Sequence, residues 1–261
     1  MAFSAREPRG DTIQLAELGR SLPVASSTLH LGSHVRPVLS GDGRTVAWWN
    51  SGIGYAMGVK GDSPREICRT CGQPTHLNFD GSKAIFEAGH SPKVEELQLA
   101  KLGQNPRPLF HIQESRQWMQ AGGRFSPDER WVAFSGWHEG EHQRQILVVP
   151  VTPDGTVAPD QVVEITNDGY ANREPVWSPD GRRIYFLSDR DGPTCVWARD
   201  VDAGSKRPAG DVFAVAHFHS AGRVLRGPSA NSGSIGLSAA GNFLVLTLTD
   251  TKGNIWARGT R

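Results

Sequence analysis

The chain has 261 residues, 38% apolar and 21% charged, enough to bury the core of one large all-β domain or two ordinary ones. Lys+Arg 28 against Asp+Glu 27 leaves a formal charge of +1, which excludes a broad electrostatic footprint for nucleic acid or an anionic membrane surface. No apolar run approaches the ~20 residues of a membrane helix, and MAFSAREPRGDT lacks the apolar stretch of a signal peptide.

These features lead to the expectation of a cytoplasmic protein, or a periplasmic or extracellular one if it is a piece of a membrane-anchored protein. Gly 30 and Pro 17 suit many short strands joined by turns. Three cysteines, Cys68, Cys71 and Cys195, cannot all pair, which argues against a disulfide framework.

Residues 1–37 are the least regular. Thr12 to Leu18 and Thr28 to Leu31 are short candidate strands, either a frayed terminus or strands that close a ring from the other end. From Val38 the pattern becomes periodic. VLSGDGRTVAWWN, LNFDGSKAIFEA, FSPDERWVAFSG, WSPDGRRIYFLS and LSAAGNFLVLTL each join two strands through a tight turn. Asp42, Asp80, Asp128, Asp180 and Ala240 are separated by 38, 48, 52 and 60 residues. A period near ~40–50 with four strands per unit is that of propeller blades.

YAMGVK, EELQLA, QILVVP, CVWARD and NIWARG occupy the third-strand position in turn. REICRT, PLFHI, VVEIT and VFAVAH follow as fourth strands. The expected fold is all-β, a propeller of four-stranded antiparallel blades. Blades are expected near 38–70, 75–113, 121–166, 174–217 and 233–261. TVAWW, WVAFSG, RIYFLS and FLVLTL are apolar on both faces, as middle strands covered on two sides must be. Trp48, Phe86, Phe134, Phe186 and Leu248 are the expected inter-blade packing residues.

These repeats resemble the TolB-like β-propeller family, bacterial relatives of WD repeats with a Ser-Pro-Asp-Gly turn. Ser126-Pro127-Asp128, Ser178-Pro179-Asp180-Gly181, Ser188-Asp189-Arg190-Asp191-Gly192, Trp197 and Asn254-Ile255-Trp256 carry the resemblance, over roughly residues 35–261. The run from Cys195 through GNIWARG also looks like the end of propellers appended to bacterial receptor-type serine/threonine kinases, and of free-standing relatives. No Gly-rich loop with a following Lys, and no HRD or DFG triplet, is present. Such propellers usually have six or seven blades, whereas five cores are visible here. The fifth lacks a fourth strand, so the chain either borrows one or forms an open arc of a larger ring.

Several motifs invite chemistry. His138-Glu139-Gly140-Glu141-His142 matches HExxH, which in zinc proteases needs both histidines on one helical face. Between two strands, and with Gly140 inside it, a hairpin loop is expected instead. Cys68 and Cys71 form a CxxC open to three readings: incidental thiols, metal ligands or a disulfide. His217 and His219 would face one side of a strand, with no carboxylate partner in view.

The function expected is a non-enzymatic sensor or interaction module for a protein or peptide, with no cofactor. His34, Arg36, His76, Arg124, Asn172, Arg173 and Glu174 lie where inner strands enter each turn, and would line the channel mouth. The alternatives are a zinc-dependent hydrolase using the HEGEH segment, and a truncated structural part of a kinase-linked sensor.

Overall fold

The computed structural model describes residues 2–7, 10–15, 25–31, 37–60, 62–69, 71–88, 96–101, 106–113, 118–141, 143–218, 223–225, 237–240, 243–246 and 248–250. Strands β1 (Ala2–Glu7), β2 (Gly10–Leu15) and β3 (Ala25–Leu31) form an antiparallel sheet of their own. The first blade follows with β4 (Val38–Leu39), β5 (Thr45–Asn50), β6 (Ile53–Gly58) and β7 (Arg65–Arg69). The second has β8 (Cys71–Leu77), β9 (Lys83–Ala88), β10 (Leu97–Lys101) and β11 (Arg107–Pro108).

After β12 (His111–Ile112) comes the third blade. It contains β13 (Trp118–Phe125), β14 (Trp131–His138), β15 (Gln145–Pro150) and, beyond β16 (Thr156–Val157), β17 (Val163–Glu164). The fourth has β18 (Arg173–Trp177), β19 (Arg183–Ser188), β20 (Cys195–Asp200) and β21 (Phe213–Ala216). Beyond it lie β22 (Arg223–Leu225), β23 (Leu237–Ala240), β24 (Phe243–Leu246) and β25 (Leu248–Asp250).

Each of the four blades is a four-stranded antiparallel sheet, with its strands in sequence order from one edge to the other. The first strands β4, β8, β13, β18 and β23 pack one beside the next, so they form the inner edge of the assembly. Two departures from the expected strands stand out. The PLFHI segment divides: Arg107–Pro108 closes the second blade, while His111–Ile112 pairs in parallel with Thr156–Val157 of the third. The fifth unit appears as two ladders, β23 with β24 and β22 with β25. Its NIWARG segment lies outside the described residues.

The Ser-x-Asp turns show why these loops recur. The Ser178 hydroxyl donates to Asp180 (2.6 Å), which accepts from the Arg182 N–H (3.1 Å), while the Arg183 N–H donates back to Ser178 Oγ (2.9 Å). Ser40, Asp42, Arg44 and Thr45 repeat this set at 2.6, 2.9 and 2.9 Å. Hydroxyl and backbone donors hold Asp42 and Asp180 below the usual carboxylate range. The third blade puts Glu129 where the others have glycine, at φ 56°. Its carboxylate reaches the neighbouring turn, accepting from Asn78 (3.1 Å), the Phe79 N–H (3.2 Å) and Lys83 (3.0 Å). Burial pushes this carboxyl up, and those donors more than reverse the effect.

Blades pack face to face through the expected aromatics. Phe86, Phe134 and Phe186 are each 0% exposed. Phe86 meets Ala47 and Ala56 of the first blade, Phe134 meets Ile85 and Leu97 of the second, and Phe186 meets Ile146 and Val148 of the third. Their sequence neighbours point the other way. Ile85 and Ala133 join the clusters that face the next blade, and Leu187 packs with Leu237 of β23. Two apolar faces per middle strand follow from this stacking. Trp48 departs from the expectation: its described contacts, with Val46 and Met57, lie within the first blade, on the face turned away from the second, and the Leu248 side chain lies outside the described residues.

Cys68 and Cys71 are joined in a disulfide across the step from the first blade to the second. This selects one of the three readings: the sulfurs bind each other and are unavailable to a metal. Both are buried, and a Cβ at Gly54 would approach either sulfur to 2.8 Å, so only glycine fits beneath the bridge. Closing a loop this short stabilises by about 2 kcal/mol in the chain-entropy account. Replacing both cysteines by serine should lower stability by about that amount. Urea unfolding of the variant against the unsubstituted protein checks it, and equal midpoints would refute it. Glu129→Ala keeps the unfavourable backbone angle but loses the inter-blade bonds, and should cost about 2 kcal/mol in the same assay. Glu129→Gly relieves the angle and should cost about 1 kcal/mol less than Glu129→Ala.

Candidate functional site

The first strand of each blade is a sheet edge, and its outward N–H and C=O groups have no strand to pair with. Side chains of neighbouring blades supply the missing partners. Trp49 Nε1–H donates to the Cys71 carbonyl (2.8 Å), and Thr75 Oγ1–H to the Gly123 carbonyl (2.8 Å). Trp177 Nε1–H donates to the Arg124 carbonyl (3.1 Å). Arg124 Nη1–H bonds the Thr75 carbonyl, and the Phe125 N–H donates to His76 Nδ1 (3.2 Å). The last two bonds form a reciprocal clasp. The side chain at 124 caps residue 75, and the side chain at 76 caps residue 125.

Irregular backbone accompanies the clasp. The pairing register shifts between Cys71 and His76, between Ala121 and Arg124, and between Arg173 and Val176. At the last two bulges Gly122 and Glu174 take φ 66° and 54°. Glu174 is strained there, and its N–H is held by Ser135 Oγ at 3.2 Å. Glu87 Oε1 accepts from the Gly122 N–H at 3.4 Å.

Of the residues expected at the channel mouth, the structure brings together His76, Arg124 and Glu174. Burial pushes the His76 imidazole down to about 3, with the nearby Arg124 guanidinium adding to the effect. Some of its surface remains accessible, which softens this depression without reversing it. Burial likewise lowers Arg124, while Glu174 and Glu87 raise it. Arg173 bonds Thr194 Oγ1 (3.0 Å) above its own blade.

Asn172 departs from the expectation. It is 0% exposed, and its amide donates to Asp168 (2.7 Å) inside a network that includes Arg190. Arg190 is wedged against Trp197 and Tyr170 and bonds Asp168 at 2.8 Å, so this cluster locks the third blade to the fourth. His34 and Arg36 lie outside the described residues.

The chemical motifs resolve as follows. His138 ends β14, and Glu139 and Gly140 form the turn, with Gly140 at φ 84°; the helix that HExxH requires is not formed there. His142 lies outside the described residues. His217 does have a carboxylate partner, Asp191 at 2.9 Å, contrary to the expectation, while His219 lies outside the described residues. Among the described residues no group of three His, Cys, Asp or Glu side chains could hold a metal, and no helix is long and apolar enough to cross a membrane.

Cavities open among the described residues beside the blades. One of about 690 Å³ opens beside Tyr185 and the paired Arg183 and Asp200, and one of about 240 Å³ beside Trp118 and Trp137.

No family model matches the sequence. A stretch of 67 residues, 25% of this chain, is 39% identical to tricorn protease homolog 2 of Streptomyces coelicolor, and spans only 5% of that protein. TolB from Acinetobacter baumannii superposes over 95% of this chain and 60% of its own, with a TM-score of 0.63 at 18% identity. A TolB protein from Agrobacterium tumefaciens does so over 88% and 80%, with a TM-score of 0.59 at 20% identity. The fold is that of a TolB-type β-propeller. A puromycin-hydrolysing peptidase from Mycobacterium tuberculosis has a similar arrangement, matched over 92% of this chain and 40% of that protein (TM-score 0.57, 15% identity). The TolB-type fold thus occurs both in proteins named TolB and within a larger hydrolase.

Sequence reasoning placed His76 and Arg124 on the inner edge but missed their partners Thr75 and Phe125, and missed Trp49 and Trp177 as caps. Their turn-relative positions were the available signal, since His76 and Arg124 each stand two residues before the first residue of a turn, Asn78 and Ser126. The neutral imidazole has a measurable consequence. Below pH ~6.5 the unfolded state takes up a proton that the folded state resists because burial and Arg124 disfavour the charged ring, so stability falls as pH is lowered below this value, by up to about 1.4 kcal/mol per pH unit. His76→Gln should remove that component. Urea midpoints at neutral and mildly acidic pH will test this, and the same acid loss in both proteins would refute it.

Proposed function

We propose that this propeller is a non-enzymatic binding module, a sensor or interaction domain whose inner-edge end receives a protein or peptide. The reading rests on one observation. In its support, Glu174 keeps a strained left-handed backbone within electrostatic range of Arg124, which lies beside His76 of the preceding blade, and strain of this kind persists where function requires a fixed geometry. The turn at Glu139 and Gly140 removes the helix on which the zinc-hydrolase alternative depends. The likeness of the C-terminal run to kinase-appended propellers supports a sensor role. This propeller spans 60% of the Acinetobacter TolB and 40% of the peptidase.

Paired pulldowns with the wild-type protein and with Arg173→Glu test this. Arg173 bonds Thr194 of its own blade and none of the inter-blade caps runs through its side chain, so the blades stay joined in the variant. A partner recovered by the first and lost from the second is expected. Equal recovery by both, or turnover of peptide or ester substrates by the purified protein, would overturn the proposal.

A further inference from the structure

The reciprocal clasp leaves donors over. Arg124 uses Nη1 on the Thr75 carbonyl, and its Nη2 has no hydrogen-bond partner among the described residues. His76 Nδ1 accepts from the Phe125 N–H, which fixes the ring proton on Nε2, and Nε2–H also has no partner there. Neither atom is among those sealed from solvent without a partner, although Arg124 Nε is sealed in this way, as are Gln73 Oε1 on β8 and Arg173 Nε on the neighbouring β18.

The bonded groups sit one residue apart on each strand: 75 and 76 on β8, 124 and 125 on β13. The clasp therefore holds guanidinium and imidazole within electrostatic range of each other, each with an N–H that the clasp does not use. The two carboxylates within electrostatic range of Arg124, Glu87 and Glu174, already have partners. Among the described residues no acceptor completes these two donors.

We propose that Arg124 and His76 bind a carboxylate group, one oxygen on Arg124 Nη2–H and the other on His76 Nε2–H. This rests on the binding reading above and names the ligand chemistry at that same end of the propeller. A guanidinium supplies directional donors that suit a planar carboxylate, and charge-assisted bonds of this kind are about twice as strong as neutral ones. A neutral imidazole adds a donor without repelling Arg124. The carboxylate can come from the C-terminus of a peptide or from a small organic acid.

NMR titration of the protein tests the proposal and separates the two sources. The probes are trialanine, its C-terminal amide and succinate, and the readout is the His76 ring signal, identified by its absence in His76→Gln. The expected result is a saturable shift with trialanine and one at least about tenfold weaker with the amide. Succinate binding as tightly as trialanine assigns the site to small acids, and much weaker succinate binding assigns it to peptide termini.

Arg124→Ala removes a backbone cap and can unfold the edge, so Arg124→Lys, which keeps the charge but loses the fork, serves beside it. Arg124→Lys should weaken trialanine binding several-fold by the same His76 readout. Equal binding of acid and amide, or no shift of His76 with any probe, would overturn the carboxylate assignment. If a partner is still captured in an Arg173-dependent manner under that outcome, the binding-module reading stands and only the ligand chemistry falls. If no partner is captured either, both fall.

Discussion

The structure depends on how the innermost strand of each blade completes its backbone hydrogen bonds. A sheet edge carries a row of N–H and C=O groups that water or another polypeptide would otherwise meet. Here the adjacent blade meets several of them with side chains: two indoles, a threonine hydroxyl, an imidazole and a guanidinium. Each cap ties one blade to its neighbour at the edge, so neighbouring sheets are bound by directional bonds there and by apolar contact across their faces.

The apolar contact has its own logic. A middle strand covered on both sides cannot alternate polar and apolar residues. Phe86 and Ile85, adjacent in the sequence, therefore enter different clusters, and each cluster joins two blades. The caps and the clusters constrain the same junctions by different physics. Burial is non-directional and favours any close stack, whereas the hydrogen bonds and the turn-to-turn contact of Glu129 with Asn78 and Lys83 select one rotation of blade upon blade. The disulfide between Cys68 and Cys71 adds a covalent constraint at the first junction.

The same edge explains why the candidate site is polar yet mostly self-satisfied. His76 and Arg124 are first of all structural, and the groups they leave unpaired are a by-product of side chains with more donors than the backbone needs. Glu174 holds a left-handed backbone next to them, and Ser135 of the neighbouring blade fixes it there. A binding surface built from residues that also brace the scaffold is rigid, because moving any one of them would break an inter-blade contact.

The sequence by itself determined the turns, the strand order within each blade and the packing positions of Phe86, Phe134 and Phe186, though not that of Trp48, whose described contacts stay within its own blade. Those signals are local: Ser178 and Asp180 are two residues apart, and the apolar runs report burial on both faces directly. Only the tertiary structure decided that Cys68 and Cys71 bond each other, that Asn172 turns inward to Asp168, and that His76 and Arg124 form a clasp. Those outcomes depend on register between strands. The two bonds of the clasp join residues 49 apart in the sequence, through bulges that no local pattern announces.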